Sequence, residues 1–119
     1  MYEIKEIVLK NGPTEKKRLV IEFTDPEQQI IGEFLMSDVD LLHGKIVREI
    51  NDLLQGKKDE VEFSGNRCFV LARKNMTKIE DLYADMEGMD GYPPYEMDTT
   101  EFLQLIKVWK KRQEEIQSQ

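Results

Sequence analysis

The 119-residue chain has one cysteine, one histidine, one tryptophan and four prolines. With Cys68 alone, no disulfide can form within the chain, so the fold cannot be a disulfide scaffold. A lone thiol fits a reducing compartment. There is no basic surplus. Lys and Arg total 17, Asp and Glu total 24, and the formal net charge is -7. Duplex DNA or RNA is therefore a poor primary ligand, because phosphate binding calls for an excess of Lys and Arg. Apolar runs are only a few residues long, against about 20 needed to cross a bilayer. The opening Met1-Tyr2-Glu3-Ile4-Lys5-Glu6 is not a basic leader followed by an apolar stretch. The expectation is a cytoplasmic protein with no membrane partner.

Familiar chemical signatures are also missing. The chain has no HExxH, CxxC, GxSxG or phosphate-binding glycine loop. His43 and Cys68 suggest a nucleophile and base, but no third member is recognisable, and a free cysteine on an apolar strand usually packs as a small hydrophobe. No catalytic residue, cofactor or metal is expected, and the chain does not read as an enzyme.

What is present is a 39% hydrophobic, 34% charged chain with the size and balance of one domain. Residues 1–119 read as a single α+β domain. Tyr2, Ile4 and Val8 alternate with Glu3, Lys5 and Ile7 in a blurred period of two, and Leu19, Ile21 and Phe23 alternate with Val20 and Glu22, which predicts two strands. Asn11-Gly12-Pro13 is the turn between them. Asp25-Pro26-Glu27 reads as a second turn. Gln29–Met36 reads as a third strand, with Gly32 as a bulge. Ser37 and Asp40 resemble a capping pair for a helix over 38–55, with Gly44 inside it and Gly56 just past its end. Strands are expected at 60–63, at 68–72 with both faces covered, and from Met76 to Tyr83. Another short strand is expected near 95–97. Asp98-Thr99-Thr100-Glu101 is a capping box for a last helix whose apolar face holds Phe102, Leu105, Ile106, Trp109 and Ile116. The expected order is βββαβββα, a three-strand meander followed by a helix, further strands and a C-terminal helix. One antiparallel sheet would carry both helices.

Charge is distributed unevenly. Between Ile79 and Asp98 stand Glu80, Asp81, Asp85, Glu87, Asp90, Glu96 and Asp98, with no Lys or Arg. Outside this segment acidic and basic residues balance at 17 each, so the whole net charge sits here. The segment also holds Tyr83, Tyr92 and Tyr95 with Met86, Met89 and Met97. Tyrosine and methionine are enriched at interfaces, and clustered carboxylates steer a basic partner. The bland reading is a solvated acidic loop with a few core-facing anchors. The carboxylate spacing does not match an EF-hand loop. Trp109 reads as core. The cluster Lys107, Lys110, Lys111 and Arg112 reads as helix-end charge balance. Lys16-Lys17-Arg18 reads as a solvated strand edge that discourages edge-to-edge pairing.

The Asn-Gly-Pro turn after the first strand, Gly65-Asn66-Arg67-Cys68 opening a later strand, and the acidic segment running into a helix with Phe102, Leu105-Ile106 and Trp109 together resemble small bacterial immunity proteins. These are cytoplasmic antidotes of polymorphic and contact-dependent growth inhibition toxins, many of them nucleases. The resemblance covers most of the chain in layout. It implies an inhibitor with no catalysis of its own, monomeric rather than an obligate dimer, whose partner is a basic toxin domain and not nucleic acid. The face it implies comprises Glu80, Asp81, Asp85, Glu87, Asp90 and Glu96, with Tyr92 and Tyr95 as anchors. The alternative is a self-associating structural or adaptor domain pairing through an exposed strand edge.

Overall fold

A computed structural model describes residues 1–38, 44–84, 86–88 and 90–117. The fold is α+β, with two antiparallel sheets and three α-helices among the described residues. Strands β1 (Tyr2–Asn11) and β2 (Thr14–Phe23) form a two-stranded ribbon. Gly12, at φ 64°, and Pro13 make its two-residue connection. A positive φ at the first connecting residue matches the twist of the flanking strands, and glycine takes it without a Cβ clash.

The segment expected as a third strand is instead helix α1 (Gln29–Ser37). Asp25-Pro26-Glu27 is its lead-in rather than a strand turn. The Asp25 side chain accepts from Glu27 N at 2.9 Å, and Pro26–Gln28 form a 3-10 turn. Proline is at home in a first helical turn, where its missing N–H removes no bond. Ile30, Ile31, Phe34 and Leu35 are all buried, a spacing that suits a helix face. Gly32 is no bulge but a buried residue of α1 facing the ribbon, where a Cβ would make ordinary contacts at 3.6 Å with Ile21 and Phe23.

Ser37 ends α1, and Asp38 is its C-cap, so these residues do not start the next helix. Helix α2 (Lys45–Leu54) begins after Gly44, which stands at φ 78° as the N-cap rather than inside the helix. The expected helical residues Val39, Asp40 and Leu42, like His43, lie outside the described residues. At the other end, Gly56 N donates to Leu53 O and Lys57 N to Asp52 O, closing the helix as expected.

The second sheet has the order β3-β4-β5-β6, all antiparallel, from β3 (Glu60–Ser64), β4 (Cys68–Arg73), β5 (Thr77–Asp81) and β6 (Tyr95–Met97). The meander expectation thus transfers from the N-terminal strands to these, and the single expected sheet is two. β4 alternates rather than being covered on both faces: Cys68, Val70 and Ala72 are buried, while Phe69 and Leu71 are half-buried. Helix α3 (Thr99–Gln117) starts as the capping box implies, with Asp98 Oδ1 accepting from Thr100 N at 2.9 Å and Glu101 N at 3.1 Å.

One hydrophobic cluster joins Ile21 and Phe23 of the ribbon, Phe34 of α1, Ile50 of α2, Val70 and Ile79 of the sheet, and Phe102, Ile106 and Trp109 of α3. The Phe34 and Phe102 rings meet at 5.4 Å. Each fully buried residue of this size contributes about 1.5–3 kcal/mol through removal from water. No described helix is long and apolar enough to cross a membrane.

Candidate functional site

The acidic segment leaves β5 at Asp81 and returns to the sheet at β6. Between them runs a connection whose two ends are held by one carboxylate. Asp81 Oδ1 accepts from Tyr83 N at 3.0 Å, and Oδ2 accepts from Tyr92 N at 2.9 Å. Ala84 and Gly91 touch across this neck: a Cβ on Gly91 would stand 2.4 Å from Ala84 Cα.

Arg67, in the turn between β3 and β4, completes the neck. Its Nε and Nη2 donate to Asp81 Oδ1 and Oδ2 at 3.3 and 3.1 Å, a two-pronged pair. Nη1 donates to Glu33 Oε2 of α1 at 3.4 Å. The guanidinium lies 4.7 Å from the Tyr83 ring centre and 5.4 Å from that of Tyr92. Both rings therefore present their electron-rich faces to one cation. Arg67 O also accepts from Leu82 N at 2.7 Å.

The turn carrying Arg67 is itself built on a carboxylate. Asp38 is fully buried, and it accepts from Asn66 N, Arg67 N and Cys68 N at 2.9, 3.1 and 2.7 Å. A Cβ at Gly65 would stand 2.4 Å from Asp38 Cγ, so only glycine lets the turn wrap this closely. The chain of support runs from α1, through Asp38, to the turn, to Arg67, and finally to Asp81 at the loop neck.

Burial alone would raise the Asp81 carboxyl. The hydrogen bond from Arg67, the amides of Tyr92 and Tyr83 and the Arg67 charge together outweigh it and hold the group below the usual carboxylate range. Cys68 moves the other way. Burial first, then the neighbouring Asp38 carboxylate, pushes its thiol far up, so it is a packed hydrophobe rather than a nucleophile.

The candidate residues separate into three groups. Asp81 has a side chain 0% exposed, and its oxygens serve the chain itself, so it positions the loop rather than facing outward. Glu87, Asp90 and Glu96 are exposed, and half-buried Glu80 pairs with Lys78 at 3.0 Å. Tyr92 and Tyr95 are half-buried; Tyr92 stacks on Arg67, and the Tyr95 hydroxyl accepts from Gln28 Nε2 at 3.0 Å. Asp85 lies outside the described residues. Among the described residues, no group of three or more His, Cys, Asp or Glu side chains is arranged to hold a metal ion.

Arg67, Asp38 and Glu33 were not singled out from sequence. Arg67 stood inside the Gly-Asn-Arg-Cys stretch without a role, and no local pattern ties it to carboxylates 14 and 34 residues away.

Fold and site together define a small α+β protein with an acidic loop cinched at its neck. The chain is 32% identical over 109 residues to a Bacillus cereus protein named "Immunity protein", covering 91% of this chain and 85% of that one. The chain belongs to that immunity-protein family. No family model matches it, and no solved structure does.

Proposed function

We propose that the chain binds and neutralises a cognate bacterial toxin in the cytoplasm, and that the toxin is a basic nuclease domain met by the acidic 79–98 face. Membership of the immunity-protein family supports the inhibitor role. The observation that carries the choice of face is the neck. Asp81 and Arg67 hold a loop bearing exposed Glu87 and Asp90 and leading to exposed Glu96. A loop whose two ends are held loses less freedom on binding than one with free ends. A nuclease must attract a polyanion, so its substrate channel is basic, and carboxylates presented there supply fast association and strong coupling. In this reading Glu80, Asp85, Glu87, Asp90 and Glu96 provide the charge, Tyr92 and Tyr95 the anchors, and Asp81 the support beneath them. In this reading each chain binds one toxin domain, without nucleic acid or metal.

The test is capture of the tagged protein from its native cells at low and moderate salt, with co-purifying chains identified by mass. Near-stoichiometric recovery of a basic toxin fragment is expected. A Glu87→Lys, Asp90→Lys double variant should then associate about tenfold more slowly at low salt, with a flatter salt dependence. If the double variant associated like the parent, the acidic loop would be the wrong face. An uncharged or acidic toxin would overturn the electrostatic reading.

A further inference from the structure

The β1–β2 ribbon extends well beyond the core. Leu19, Ile21 and Phe23 are buried at its base, but every residue from Lys5 to Arg18 is exposed. A two-stranded ribbon is only marginally stable in water by itself. Three consecutive apolar residues, Ile7, Val8 and Leu9, are 37%, 50% and 47% exposed, and no described strand pairs with β1 on its outer side.

The hydrogen-bond phase of that free edge is fixed. Thr24 N donates to Met1 O at 3.0 Å, which extends the Tyr2–Phe23 register by one position. Antiparallel pairs alternate between bonded and non-bonded positions. Odd-numbered β1 residues therefore bond to β2, and the N–H and C=O groups of Glu6, Val8 and Lys10 point outward. The two edges of the ribbon are not equivalent. Lys16, Lys17 and Arg18 run along β2, so two β2 edges would bring like charges together.

We infer that β1 pairs antiparallel with β1 of a second copy of this chain, with Val8 opposite Val8 on a two-fold axis. This register puts Glu6 opposite Lys10 of the second copy, twice by symmetry, and Ile7 opposite Leu9, also twice. The bonded positions are Glu6–Lys10, Val8–Val8 and Lys10–Glu6, the three whose backbone groups are free. Ile7 and Leu9 fall at the non-bonded positions, where side chains come closest. Neighbouring registers lose this match. Centring on Ile7 sets Glu6 against Val8 and Lys5 against Leu9. Centring on Glu6 puts two carboxylates face to face. The contact is isologous, closes at two copies, and turns two marginal ribbons into one four-stranded sheet. It uses no residue of the acidic segment, so it stands or falls separately from the toxin-binding reading.

The experiment is sedimentation equilibrium of the full chain from micromolar to near-millimolar concentration, with amide exchange at both ends of the range. The mass should rise from 14.0 kDa toward twice that value. Exchange at Glu6, Val8 and Lys10 should slow with concentration, while Ile7 and Leu9 change little. Glu6→Lys and Lys10→Glu should each raise the dimer dissociation constant by about tenfold, and the double swap should restore it. Both positions are exposed, so folding is preserved in all three variants. A mass fixed at 14.0 kDa throughout would overturn the inference. So would a dimer indifferent to both single reversals, which would place the contact elsewhere.

Discussion

Arg67 Nη2 lies 3.1 Å from Asp81 Oδ2, and this one carboxylate also receives the amides at both ends of the acidic loop. The pair is therefore a hinge pin for the loop as well as an ion pair. Removing the charge in Asp81→Asn leaves Arg67, only 19% exposed, with Glu33 as its remaining carboxylate. Breaking a fully buried pair costs about 3–5 kcal/mol, and the residual exposure and Glu33 reduce this to about 2–3 kcal/mol. Urea denaturation should show that loss. Limited proteolysis should show faster cleavage between Leu82 and Gly91 than in the parent. An unchanged midpoint would mean that the neck holds without its charge.

Cys68 should be chemically silent while the chain is folded. Its thiol is buried, and its amide is bound to Asp38 at 2.7 Å. Burial, reinforced by the Asp38 charge, keeps the sulfur protonated at ordinary pH. A thiol reagent at pH 8 should label the native protein only at the rate of unfolding, and labelling should become complete in denaturant. Gly65→Ala drives a methyl into Asp38 Cγ and should cost about 1–3 kcal/mol, as overpacked sites do. Labelling of Cys68 should accelerate accordingly. Rapid labelling of the native parent would contradict the packing around this turn.

These two predictions rest on pairings the sequence did not mark, Asp81 with Arg67 and Cys68 with Asp38, and the reason is physical. Local signals were readable because their causes are local. Gly12 and Pro13 define a turn, Asp98 caps α3, and Gly56 ends α2 through bonds spanning a few residues. The Gln29–Met36 segment misled because strand-forming Ile and Phe stand at positions that also satisfy a helix, and Pro26 reads equally as a turn or a first helical turn. Its buried face, with Gly32 against Ile21 and Phe23, is decided by packing on the ribbon. Asp81 looked like one more surface carboxylate. Only its pairing with Arg67, brought close by the β4–β5 register, takes it out of the charged face. The acidic character of the segment was legible from composition; its clamp was not.

Gly91 and Gly88 should behave differently although both lie in the same loop. A Cβ at Gly91 would meet the Ala84 backbone at 2.4 and 2.6 Å, so Gly91→Ala must push the two sides of the neck apart. At Gly88 there is open space, and the cost is only that of a left-handed residue, about 1–2 kcal/mol. Gly91→Ala should therefore weaken the Tyr92 N to Asp81 bond, seen as faster amide exchange at Tyr92. Gly88→Ala should leave that amide protected. Equal exchange in the two variants would mean that the neck is not closed by the Ala84–Gly91 contact.

Acid should act on the fold partly through Asp81. Its carboxyl titrates below the usual range in the folded chain and near 3.9 when unfolded. A group depressed in this way binds its proton more readily in the unfolded state. Its stabilising contribution is therefore whole above about pH 5 and is lost as pH falls through the unfolded value towards the folded one. Other carboxylates protonate over the same range, so the parent's acid limb alone does not isolate this one. The difference between parent and Asp81→Asn does. That difference should be constant from neutral pH down to about pH 5, and it should shrink steadily below pH 4 as the parent's own carboxylate becomes neutral. Denaturant midpoints measured across that range for both proteins give the curve directly. A difference that stayed level to pH 2 would show that the Asp81 contribution is steric, with the amides of Tyr83 and Tyr92 held equally well by a neutral side chain.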